Sequence, residues 1–171
     1  SSSDCSDAAL DELVERAVAM ARVVPEDEFC GLADSDLLAN DVPDVDECDP
    51  MEPDASVLEA RARDAEAAAR DVPGVTNSEG AEAGWSHSRI AIAASNGFAK
   101  VRLRSSHAIS AAVLAGEGTA MERAYDWASV VHGEDLPDPA EIGRKAGENA
   151  VNRLNPRKVS SAQVPVIYAP R

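Results

Sequence analysis

Few side chains in this chain could do chemistry: three histidines (His87, His107 and His132), three cysteines (Cys5, Cys30 and Cys48) and the run Ser105-Ser106-His107. A helical metallopeptidase site needs two imidazoles within one turn and a carboxylate beside them, so that zinc is held and its water activated. The histidines stand 20 and 25 residues apart, and each falls on or near a predicted strand. The expectation for each is a surface or hydrogen-bonded strand residue, with a metal site built from all three as the alternative. Serine hydrolysis needs a hydroxyl beside an imidazole that an acid orients. Neighbours on a strand point to opposite faces, which separates Ser106 from His107, and there is no G-x-S-x-G elbow. The cysteines are odd in number and lack C-x-x-C spacing, which fits a reducing compartment. Cys30 reads as a small core filler, and Cys5 and Cys48 as loop residues. The sequence therefore assigns no catalytic, cofactor-binding or metal residue.

The elements that would position these groups centre on Arg89–Phe98. Asn96-Gly97 is a strong hairpin signal, because a two-residue type I′ turn needs positive φ at both central positions. Ile90, Ile92 and Ala94 alternate on the entry side, and Val101 and Leu103 alternate with Lys100, Arg102 and Arg104 on the exit. Four strands are predicted, over about 75–79, 85–94, 99–114 and 121–132. Gly116-Glu-Gly118 serves as a second hairpin connection rather than a phosphate loop, since no helix follows it. The basic stripe Lys100, Arg102, Arg104 reads as a solvated edge, or as a contact for acidic peptide or a partner subunit. Trp85, Tyr125 and Trp127 read as core or interface packing, with a substrate platform as the alternative.

Three helices flank these strands. Leu10, Leu13, Val14, Ala17 and Ala21 form one stripe over 7–22 behind a Ser6 or Asp7 cap. A second helix spans 56–71, with Leu58, Ala62, Ala65 and Ala69 on one face and Glu59/Arg63 and Glu66/Arg70 spaced as ion pairs. Val72-Pro73-Gly74 ends it. Asp138-Pro139-Ala140-Glu141 is a helix start with cap, N1 proline and a glutamate reaching back. That third helix is predicted to run to about residue 154, with Gly143 and Gly147 permitting close approach. Val164, Val166 and Tyr168 suggest a last strand. The fold class expected is α+β: an antiparallel β-meander sheet with helices packed on one face.

Composition narrows the function classes. Only 4% of the 171 residues are aromatic, so the core must be built mainly from Ala, Val, Leu and Ile. A net charge of −15 argues against a nucleic-acid backbone as partner, because phosphate binding depends on Lys and Arg releasing counterions. Part of the acidity sits in Asp41–Asp54, interrupted by Pro43, Pro50 and Pro53. That stretch reads as a solvated linker between residues 1–40 and a domain over 55–171, and it has no EF-hand spacing. No apolar run is long enough to span a membrane, and the expected location is the cytoplasm. The chain opens without a Met and closes on a strand-like stretch, so a piece of a longer protein is expected.

Asn77-Ser-Glu-Gly80, Ser95-Asn-Gly-Phe98, Ser105-Ser-His107, Gly116-Glu-Gly118 and Arg153-Leu-Asn-Pro-Arg157 occur here in that order. In combination they resemble the middle region of the TldD/PmbA family, its PmbA (TldE) branch in particular, and the resemblance runs from the helix around Leu10 to Pro170. It implies residues 1–40 as a remnant of an N-terminal domain and 55–171 as a central domain leading toward a C-terminal one. It further implies a TldD-like zinc-bearing subunit as partner, in a heterodimer or homodimer, and cleavage of peptides or unfolded proteins by the pair. The zinc-bearing members carry His-Glu-x-x-x-His later in the chain, so zinc is expected in the partner and no cofactor in this stretch. The region's implied role is assembly and the substrate cavity. A non-enzymatic interaction module unrelated to proteolysis is the alternative.

Overall fold

The computed structural model describes residues 1–168, which leaves the end of the resembling stretch, at Pro170, outside the described residues. The chain groups into two compact units, one of Ser1–Asn40 with Ala93–Phe98, the other of Asp41–Ile92 with the residues from Ala99 on. In the first, α1 spans Asp7–Val23 and the Ser6 hydroxyl accepts from Ala9 N at 3.4 Å, as a cap does. No residue of α1 is buried. The hairpin tip is held by the Asn96 side-chain amide donating to Ala33 O at 2.9 Å.

The second unit carries α2 (Ala55–Arg70), β1 (Val75–Ala93), β2 (Ala99–Ala115), β3 (Glu122–Val130) and α3 (Pro139–Asn152). The strands form one antiparallel sheet in the order β1-β2-β3, the meander expected, with both helices packed on it. The sheet has three strands rather than four. The two segments predicted over 75–79 and 85–94 are one strand, which passes through Gly80 at φ +108° without breaking. Glycine supplies that backbone conformation without a steric penalty, so it redirects a strand instead of ending it. The β2–β3 register runs from His107 opposite Val130 to Ala115 opposite Glu122.

The turn after β1 also differs from the type I′ expected. Gly97 N donates to Ala94 O and Ala94 N to Phe98 O, and of the pair Asn96-Gly97 only Gly97 has positive φ, +94°. This is the three-residue loop in which a type I turn is followed by a left-handed glycine. The strand predicted from Val164 does not form, and Val164, Val166, Ile167 and Tyr168 are exposed.

Alternation along β2 buries Ser105, His107, Ile109, Ala111, Val113 and Ala115 on one face. Against it lie Ala65 and Ala69 of α2, and Ile142, Ala146 and Ala150 of α3. The helices meet at their smallest residues: a Cβ on Gly143 would stand 1.9 Å from Ala65 O, and one on Gly147 2.9 Å from Ala69 O. Asp138 caps α3 by accepting from Ala140 N at 2.8 Å. Glu141, expected to reach back to the cap, instead pairs with Lys145 at 2.8 Å. Glu59 pairs with Arg63 as expected, whereas no Glu66–Arg70 pair forms among the described residues. No helix among them is long and apolar enough to cross a membrane.

Candidate functional site

The chemistry-bearing residues gather where the acidic segment crosses the start of the buried part of β2. Two short turns shape that segment. Asp44 Oδ1 accepts from Asp46 N at 2.9 Å, with Asp46 in the left-handed region at φ 54°, which aspartate tolerates better than most side chains. Asp49 Oδ1 then accepts from Met51 N at 2.8 Å. Aspartate favours such turns because its side chain can hydrogen-bond the backbone two residues on. Between the turns the chain runs as a strap beside β2. Ser105 N donates to Glu47 O at 3.0 Å, and Arg102 pairs with Glu47.

The strap differs from the solvated linker expected of so acidic a sequence. Asp49 is 7% exposed, and its carboxylate is occupied on both oxygens, with Gly133 N donating to Oδ2 at 2.8 Å. These two backbone N–H groups, from Gly133 first and then Met51, hold the Asp49 carboxyl below its ordinary range. Nearby His107 and His132 act in the same sense, against desolvation.

His107 is 2% exposed, deeper than a surface strand residue, with Nε2 3.1 Å from Asp49 Oδ2. Neither ring nitrogen has a well-aligned hydrogen bond, so the contact is electrostatic more than directional. Its ring lies against Gly133, where an added Cβ would stand 3.0 Å from the imidazole. Ser105, also 2% exposed, accepts from Asp49 N at 2.7 Å and donates to Val131 O at 3.0 Å. Its proton is thus committed to a carbonyl. The hydroxyl works as a staple between strap and sheet rather than as a nucleophile. Ser106 faces away and bonds Ser129 at 3.0 Å.

At the strap's outer end His132 Nε2 lies 3.2 Å from Asp46 Oδ2 and 3.3 Å from Asp46 O. The hydrogen bond to Asp46, together with the charges of Asp46, Asp49 and Asp135, raises the His132 imidazole above its ordinary value, against desolvation. A cleft of about 470 Å³ opens beside this cluster, lined by Met51, Val57, Arg61, His107, His132 and Glu134 among others.

The fold brings His107 and His132 to one strap, but His87 stays apart, stacked on Trp85 with ring centroids 6.2 Å apart. Among the described residues no three His, Cys, Asp or Glu side chains are arranged to hold a metal ion. The residues present do not fit a zinc centre. Asp49, the pivot of the cluster, escapes a sequence reading because proline and acid around it look like linker. Its one local signal is the Asp-Pro-Met turn pattern.

The helix-free face of the sheet carries a second group. Tyr125 and Trp127 stand 54% and 60% exposed on β3, outside the core where sequence alone allowed them. Arg123 lies over Tyr125, its guanidinium 5.6 Å from the ring centroid, and pairs with Glu79 at 2.7 Å. Glu79, Arg123 and Tyr125, but not Trp127, border a cleft of about 440 Å³ floored by Ser110 and Ala112.

Residues 46–154 match the family model of the PmbA/TldA metallopeptidase central domain. The chain is 34% identical to the metalloprotease PmbA homolog of Haemophilus influenzae, covering 98% of this chain and 38% of that protein. It is likewise 34% identical to metalloprotease PmbA of Escherichia coli O157:H7, over 99% of this chain and 38% of that one. It thus spans well under half of the curated relatives it matches. A candidate modulator of DNA gyrase from Bacteroides thetaiotaomicron shares the fold with a TM-score of 0.75 at 24% identity, over 92% of this chain and 37% of that one. TldE from Thermococcus kodakarensis does so at 0.56 and 17%, over 88% and 34%.

Proposed function

Because this chain belongs to the PmbA/TldD metallopeptidase family, we propose that it is the central part of a PmbA-type subunit, serving assembly and the substrate cavity of a peptide-cleaving complex. Residues 1–40 contribute the end of a preceding domain, and 55–171 the central domain itself. The zinc that cleaves peptides or unfolded proteins sits in a TldD-type partner, and the pair works in the cytoplasm. The observation that carries this reading is the sheet face that no described helix of the unit covers, where Tyr125 and Trp127 remain exposed and Tyr125 borders an open cleft. Aromatic side chains standing free on a rigid sheet suit a protein or peptide contact, since they offer large area at low entropic cost.

The test captures the full-length protein from its own cell extract, identifies what accompanies it, and assays the eluate for peptide cleavage with and without a chelator. A copurifying subunit bearing His-Glu-x-x-x-His and chelator-sensitive cleavage is the expected result. Capture with neither would overturn the reading and leave an interaction module.

A further inference from the structure

We propose that Asp46–Pro53 is a releasable strap over the buried His107 imidazole, fastened near its middle by Asp49 and at its outer end by the Asp46–His132 pair. The cover itself is geometric. Asp49, Met51 and Pro53 supply one wall of the cleft in which His107 lies, and α2, through Val57 and Arg61, supplies another. Little backbone pairing secures the strap, with Ser105 N to Glu47 O as its bond to the sheet. The hold therefore falls on side chains: the Asp49 carboxylate on Gly133 N, the Ser105 hydroxyl on Asp49 N, His132 on Asp46, and the exposed Arg102 on Glu47. A deeply buried imidazole without an aligned partner is costly to keep. His107 is such a group, and lifting the strap would give its nitrogens water or a ligand.

The two fasteners respond to pH in opposite senses. Asp49 sits below its ordinary 3.8 when fastened, so its contribution is complete above that value and is lost as pH falls through the lowered one. His132 sits above its ordinary 6.5, so its contribution is complete below that value and is lost as pH rises through the raised one. The charged groups facing them are His107 and His132 around Asp49, and Asp46, Asp49 and Asp135 around His132. Arg61, Glu52 and Glu134 line the cleft beside them. The strap is then held most firmly between those two ordinary values and loosens on either side.

The experiment uses the full-length protein and diethyl pyrocarbonate, which acylates accessible neutral imidazole, with exposed His87 as the internal standard. At neutral pH, His107 in the wild type should react far more slowly than His87. Asp49→Asn should raise the ratio by about tenfold or more, the scale expected when a hydrogen-bonded charge is removed, while circular dichroism remains native. A His107 that stays unreactive in a folded Asp49→Asn protein overturns the proposal. Should that variant not fold, hydrogen exchange of the wild type decides, with rates corrected for the intrinsic effect of pH. Protection of the Met51 and Gly133 amides should pass through a maximum between acid and alkali, and a monotonic course would refute the two-fastener strap.

Discussion

Helices α1 and α3 are both amphipathic, yet α3 buries Ile142, Gly143, Ala146, Gly147 and Ala150 while α1 buries nothing. The larger apolar side chains belong to the unburied helix: Leu10, Val14, Val18 and Met20 are 44% to 62% exposed. Hydrophobicity along a helix says which face would gain from cover, but burial is decided by whether a complementary surface can come close enough. For α3 that surface is α2, and what lets it approach is the absence of side chain at two glycines.

The largest expected effect breaks that approach. Gly143→Val should cost about 3 kcal/mol or more, since even a Cβ would overlap Ala65 O and a backbone atom cannot swing aside. Gly31→Ala is its counterpart, with nothing within 4 Å of the added atom, and should stay within about 0.5 kcal/mol. Urea unfolding of the full-length variants measures both.

The caps give a smaller contrast. Asp138→Ala removes a 2.8 Å bond to Ala140 N and should lower stability by about 1 kcal/mol. Ser6→Ala removes a longer one, 3.4 Å, at an exposed helix and should lose less than about 0.5 kcal/mol. Equal losses would contradict the ranking. Smallest of all should be Val14→Ser, within about 0.5 kcal/mol at a side chain already 62% exposed. A loss as large as that at Asp138 would show the α1 stripe to be covered in the whole protein.

Local signals reported the fold well. Asp138-Pro139 marked a helix start and Asn96-Gly97 a hairpin, whereas Val101 and Leu103, whose alternation with basic residues suggested a buried side, stand 56% and 47% exposed, and the buried face of β2 begins only at Ser105. The misplaced details were those that depend on neighbours. The break predicted after about residue 79 falls at Gly80, yet pairing with β2 carries the strand through it. Val164–Tyr168 alternates as a strand should, but among the described residues no strand lies alongside to take its hydrogen bonds. The strap was the least legible part. Its composition is that of a solvated tether, and the groups that capture it, Ser105, His107 and Gly133, lie 56 to 84 residues further on.

The seam between α2 and α3 also restricts how this unit can change. Ala65, Ala69, Gly143 and Gly147 have almost nothing to remove, so nearly every substitution there adds atoms to a space already closed. These residues also have no rotamers to freeze, so locking the two helices together costs almost no side-chain entropy. The seam freezes few side chains as it forms and is unforgiving to alter, a join that sequence drift can only wedge apart.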